Sequence, residues 1–202
     1  MSTKDQFTQS IDQTPVVNKT EKVTSKDGTT IAFEQSGEGP AVILVVGAFN
    51  DRATGAPLAQ FLSRHFTVIN YDRRGRGESG DTAPYAIERE IEDLDALIAQ
   101  AGGSARAFGY SSGATLALRA AAHGLAISRL ALYDPPPTGA KAGLLAPQLT
   151  ELIAEDRRGE AVELFQTEAV GLRAAVVAQM RNAPFRPALE KMAHTLVYES
   201  II

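Results

Sequence analysis

Cysteine is absent from the 202-residue chain, which excludes disulfides and thiolate metal centres outright. Histidine is scarce. His65, His123 and His194 stand far apart, so a histidine-rich metal site is not expected, and no cofactor is implied. No charge of one sign dominates: the net charge is -4, with acids and bases interleaved. That leaves no basic surface for nucleic acid. Long apolar runs are also missing. The longest, "AVILVVGAF", is too short to span a bilayer but long enough for a buried strand. The polar opening "MSTKDQFTQSIDQTPVVNKTEK" has no apolar stretch of signal-peptide type. These absences lead to the expectation of a soluble, cytoplasmic protein without a membrane partner, residues 1–20 forming a flexible tail. No internal repeat or low-complexity segment stands out.

What is present is a regular alternation. With 44% hydrophobic residues, the chain can fill one core and a small helical annex. "KVTS" and "TTIAFEQSG" flank the turn "KDG" and predict a hairpin. "AVILVV" and "FTVINYD" read as buried strands, with "APLAQFLSRH" a short helix between them. "YAIEREIEDLDALIAQAGG" places Ile87, Ile91, Leu94, Leu97 and Ile98 on one helical stripe and ends in capping glycines. "ARAFGY" and "ISRLALYD" are strands around the alanine-rich helix "SGATLALRAAAHG". Strands alternating with helices predict a doubly wound, mostly parallel α/β sheet over residues 21–136. After the breaker-rich "PPPTGAKAGLLAP" only helical patterns follow, so residues 139–202 are expected to form a helical cap segment. Its stripes, such as Leu149, Leu152 and Ile153, read as ordinary packing.

"GYSSG" at 109–113 fits G-x-S-x-G centred on Ser111. Centring it on Ser112 would put Tyr110 and Ala114 in the glycine places. In a nucleophile elbow the serine sits on a sharp, strained strand-to-helix turn, and small residues two before and two after it let strand and helix crowd together. Here the motif follows a strand and opens a helix, and that context favours a catalytic origin over a simple Gly/Ser turn.

The succession "VVGAF", "YDRRGRGES", "GYSSG", "LALYDPP" and then helices resembles the α/β-hydrolase superfamily, and more narrowly its bacterial serine hydrolases. The likeness runs over residues 22–202 and is specific for the fold, not for the substrate. It implies that the backbone N–H groups of Ala48 and Ser112 form an oxyanion hole. As residues alone, Gly47-Ala48 reads equally well as a tight turn at a strand end. Val46 stands where the family usually has histidine. The arginines of "YDRRGRGES" invite a phosphate-binding reading, but the Walker spacing is missing; the resemblance implies instead that arginine and aspartate lock the backbone there. Asp134 matches the position of the acid in members that carry it after the sixth strand, and reads otherwise as a loop-initiating aspartate before prolines.

A serine also needs a base. A helix rise of about 1.5 Å per residue places His123 roughly 18 Å from Ser111. His65 precedes a strand and so falls at the opposite end of a parallel sheet. Only His194 can approach the active edge, although a histidine on an amphipathic helix is usually just half-buried. Family members normally continue past the cap with further strands, and the catalytic histidine follows the last of them; this chain is expected to lack that segment. Two expectations follow. One is a serine hydrolase acting on a small carboxylic ester, with Ser111, Asp134 and His194 as catalytic residues and weak or incomplete turnover. The other is a catalytically incomplete module that binds a ligand or partner. Without a further strand, "ISRLALYD" is expected to leave an open edge, to be covered by the helices after Pro147 or paired in a homodimer.

Overall fold

A computed structural model describes residues 19–136 and 141–202. Residues 1–18 of the expected tail, and 137–140 of the linker, lie outside the described residues. Strand β1 (Thr20–Thr24) already takes in the tail's last residue. It turns through Gly28 into β2 (Thr30–Ser36), the hairpin that "KDG" predicts. At that turn Gly28 adopts φ 88°, the left-handed region glycine enters at no steric cost.

The remaining strands are β3 (Ala41–Val45), β4 (Thr67–Tyr71), β5 (Ala105–Tyr110) and β6 (Ile127–Tyr133). They form one six-stranded sheet in the order β1-β2-β4-β3-β5-β6. Pairing is antiparallel around β2 and parallel from β4 through β6. Successive side chains of a strand point to opposite faces, and β3 shows the result. Ile43 and Val45 enter one apolar cluster with α2 (Ile87–Gln100) and α3 (Ser112–Ala122). Val42 and Leu44 enter another with Ala59 of α1 (Arg52–Leu62). Helices therefore cover both faces, and the fold is a doubly wound α/β sheet. The predicted stripe Ile87, Ile91, Leu94, Leu97 and Ile98 is buried throughout. Helix α1 begins earlier than "APLAQFLSRH" indicates, because the Asp51 carboxylate accepts from the Thr54 amide and caps it, leaving Pro57 inside the helix.

Beyond the linker come α4 (Ala146–Ala154), α5 (Arg158–Leu164), α6 (Ala174–Met180), α7 (Arg186–Lys191) and α8 (Thr195–Glu199). The apolar pattern from Pro187 to Ile202 is carried by two short helices, broken at Met192–His194. Leu145, Leu149, Ala161, Val162, Phe165, Ala193 and Leu196 give this layer its own core, which packs on Ala48 and Phe49. The cap helices thus settle over the loop after β3. Among the described residues, β6 pairs with β5 alone and stands at the sheet's edge, with Tyr133 62% exposed. No helix among the described residues is long and apolar enough to cross a membrane.

Two arginines after β4 tie the sheet to α2. Arg73, fully buried, donates through Nε and Nη2 to the two Glu90 carboxylate oxygens at 2.7 Å each. Arg74 grips Asp93 the same way at 2.8 and 2.7 Å, and donates to Asp27 of the hairpin turn at 3.0 Å. Burial pushes the Glu90 carboxyl up, but Arg73 overrides it and holds Glu90 below the usual glutamate value. Burial likewise opposes ionisation of Asp27, yet the Thr29 hydrogen bonds and Arg74 bring it down to about 2. Both folded values lie below the unfolded ones. Their stabilisation is therefore fully present above about pH 4.5 and lost as the pH falls through the folded values. The urea midpoint should ease below about pH 6.5, where the unfolded chain's His194 takes up a proton that burial resists in the folded one, and drop steeply from pH 4 towards 2; Asp27→Asn should flatten the steep drop.

Candidate active site

The chain leaves β5 at Tyr110 and enters α3 at Ser112, and Ser111 is the hinge. Its backbone lies at φ 54°, ψ -129°, a conformation that costs a non-glycine residue about 1–3 kcal/mol. The strained strand-to-helix turn expected of a serine between paired glycines is present. Close packing explains the glycines. A Cβ on Gly109 would lie 2.5 Å from Ala114 Cα, and one on Gly113 would strike the Val45 carbonyl and come within 2.6 Å of the Val46 carbonyl. Strand, helix and neighbouring loop meet at van der Waals distance, which holds the strained serine in place.

The loop after β3 faces this hinge. A Cβ on Gly47 would lie 2.8 Å from Ser111 Cβ and 3.3 Å from Ser111 Oγ, so any side chain there would crowd the hydroxyl. Ala48 follows in the same loop. Ser112 supplies the first amide of α3, an N–H that a helix leaves without an internal partner. Its own Oγ is buried and unpartnered. The Ser111 amide donates to the Tyr133 carbonyl at 3.0 Å, and Tyr110 and Tyr133 are register partners. Asp134, the next residue, therefore stands beside the hinge, exposed and at φ 50°.

The structure thus brings together Ser111, the Gly47–Ala48 loop, the start of α3 and Asp134. His194 sits elsewhere on the cap side. Its contacts are with Gly75, with Asp81 (Nε2 to Oδ2 3.6 Å) and with Tyr198. Burial holds its imidazole below the usual histidine value against the pull of Asp81. Among the described residues no imidazole donates to or accepts from Ser111. His123 caps the far end of α3, its ring on the Arg119 carbonyl, and His65 lies in the turn before β4.

Sequence reasoning missed what holds the Gly47–Ala48 loop. Arg73 Nη1 donates to the Val46 carbonyl at 3.1 Å, and Arg76 Nη1 donates to the carbonyls of Gly47 at 2.7 Å and Asn50 at 3.1 Å. Asn50 Nδ2 donates to the Ala48 carbonyl at 2.6 Å. Both arginines also pair with Glu199 Oε1 of α8, Arg73 at 2.9 Å. Phe49, another residue with positive φ (59°), is clamped edge-on by Phe165 of the cap, ring centroids 5.6 Å apart. The motif "YDRRGRGES" was the signal for the arginines, and they do lock backbone. Glu199 carries no signal at all: nothing in the amphipathic pattern around it marks it for burial.

A doubly wound sheet in this strand order, carrying a strained serine between glycines at a strand-to-helix turn, belongs to the hydrolase class of α/β folds. The match of residues 42–198 to the family model described as Alpha/beta hydrolase family makes the chain a member of that family. It is similar to an alpha/beta hydrolase from Sphaerobacter thermophilus DSM 20745, at 56% identity and a TM-score of 0.82, over 90% of this chain and 72% of that one. A thermophilic esterase from Thermogutta terrifontis superposes with a TM-score of 0.68 at 25% identity, over 90% of this chain and 72% of that one. N-formylmaleamate deformylase of Pseudomonas putida KT2440 is 38% identical over 107 residues, 51% of this chain. That match spans 40% of the deformylase's length.

The packing of the hinge is directly testable. Gly113→Ala should destabilise the protein by about 1–3 kcal/mol, because backbone on both sides prevents relaxation. Gly143→Ala, whose Cβ would meet only the Ser200 carbonyl at 3.5 Å, should leave the thermal midpoint nearly unchanged. Differential scanning calorimetry on the two variants checks both.

Proposed function

We propose that the protein is a serine hydrolase acting on a small carboxylic ester. Ser111 is the nucleophile, the amides of Ala48 and Ser112 form the oxyanion hole, and Asp134 is the orienting acid. The observation that carries this reading is the left-handed Ser111 backbone at the strand–helix turn, with the Gly47–Ala48 loop pressed against its hydroxyl. Backbone donors suit the task because they are fixed before charge develops on the tetrahedral intermediate. The similar proteins named esterase and deformylase support a hydrolytic reaction.

The base is the weak point of the constellation, and slow turnover by this chain is part of the proposal. His194 is the chain's candidate for the role. Its lowered pKa keeps it neutral at pH 7, as a base must be, but its contacts are with Gly75, Asp81 and Tyr198 rather than with the serine. Serine hydrolases stripped of a triad member retain about 10³–10⁴-fold catalysis over water through the oxyanion hole and binding alone. Hydrolysis of p-nitrophenyl acetate by the full chain should be slow but exceed that residual level, with Ser111 carrying the excess. Ser111→Ala should abolish it, together with labelling by a fluorophosphonate, while Ser112→Ala keeps most of both. Equal losses in the two variants would refute the assignment of roles. Unchanged turnover in His194→Ala would remove His194 from the mechanism. A chain that neither labels nor hydrolyses would favour a ligand-binding module instead.

We also propose a homodimer through β6. The support is its edge position among the described residues and the exposed Leu132 and Tyr133 at its end, since an open strand edge is a template for pairing with another chain. Light scattering at micromolar concentration should give twice the mass of one chain; a strictly monomeric mass sinks the idea.

A further inference from the structure

The Gly47–Ala48 peptide is gripped from behind by a cation. Gly47 C=O and Ala48 N–H belong to the same planar trans peptide and point in opposite directions. Arg76 holds the carbonyl at 2.7 Å, from inside the protein. The amide on the other end is thereby turned away from the arginines. A charge-assisted hydrogen bond at the carbonyl also polarises the whole peptide unit and makes its N–H a stronger donor. Among the described residues that N–H has no partner of its own.

Arg76 is itself positioned with care. Its side chain is 1% exposed, and its Nη2 pairs with Glu199 Oε1, whose side chain is fully buried. The same carboxylate oxygen accepts from Arg73, which holds the adjacent Val46 carbonyl and is countered by Glu90. Two cations and two anions thus share the space beneath the loop. Glu199 comes from the last helix of the cap, whereas Arg76 comes from the loop after β4.

We propose that Arg76, anchored by Glu199, is a positioning residue of the oxyanion hole: it orients and polarises the Gly47–Ala48 peptide, and so makes the cap's last helix part of the catalytic apparatus. This rests on reading Ser111 as the nucleophile. The protonation states do not change during the reaction, since the proton taken from the serine goes to the base. Arg76 works as a fixed charge.

The test combines backbone NMR of the full chain with kinetics. In Arg76→Met the Ala48 amide proton and the Gly47 carbonyl carbon should both move upfield, while the Ser112 amide stays in place. Ser111-dependent kcat for p-nitrophenyl acetate should fall about tenfold with KM unchanged, less than the roughly 10²–10³ of deleting a donor outright. Arg76→Lys should recover part of both effects. Arg76→Met leaves the buried cluster one positive charge short and can fail to fold. The double variant Arg76→Met/Glu199→Gln keeps the cluster neutral and should give the same Ala48 shift. An Ala48 amide unmoved in the folded variant, or a Ser112 amide that moves as far, overturns the proposal. Full turnover in Ser111→Ala is a separate result: it would refute the serine reading, while the Ala48 shift would still report on the peptide.

Discussion

The buried ionic cluster of Arg73, Arg76, Glu90 and Glu199 joins the three parts of this molecule. Glu90 comes from the helix under the sheet, the arginines from the loop after β4, and Glu199 from the cap. Each ion is removed from water at a cost of several kcal/mol, which mutual attraction offsets only where the geometry is good and the remaining donors are satisfied. Here Nη1 of each arginine goes to the backbone carbonyls of Val46, Gly47 and Asn50, while Arg76 Nε and Glu199 Oε2 have no partner among the described residues. The cluster is therefore better understood as a device for specifying one loop conformation than as a source of net stability.

That loop and the serine hinge are the strained places of the structure, and their strain is held by packing of different kinds. Ser111 is held by the near contact of β5, α3 and the end of β3, which leaves no room for side chains at Gly109 or Gly113. Phe49 is held by the cap, through the edge of the Phe165 ring. A strained conformation persists only when its surroundings over-determine it. The cap does that for the loop, and the sheet does it for the serine. The two meet where Gly47 touches Ser111.

Much of the architecture was legible in the residues because it rests on local periodicity. The stripe from Ile87 to Ile98 can bury only one face of a helix. The unbroken "AVILVV" fits a strand covered on both sides. "KDG" fits one kind of turn. The limits of α1 were not legible, since capping by Asp51 outweighs the breaking tendency of Pro57. Nor was the break at Met192–His194, where the apolar pattern continues while the backbone does not. In the site, "GYSSG" declared its own geometry because two glycines and a serine at that spacing answer a steric demand within five residues.

The sequence by itself determined the sheet, its helices and the place of the strained serine, because each depends on neighbours a few positions apart. The tertiary structure alone decided the partners. Arg73 and Glu199 lie more than half the chain apart, and nothing local marks Glu199 for burial. Only the fold sets its carboxylate against two arginines in a space closed to bulk solvent, where an unpaired charge is too costly to survive. The same holds for His194, which the pattern offered as a neighbour of Ser111 and the cap sets against Gly75 and Asp81. Helical periodicity states which face a side chain occupies, but only the packing of helices onto the sheet states what that face meets.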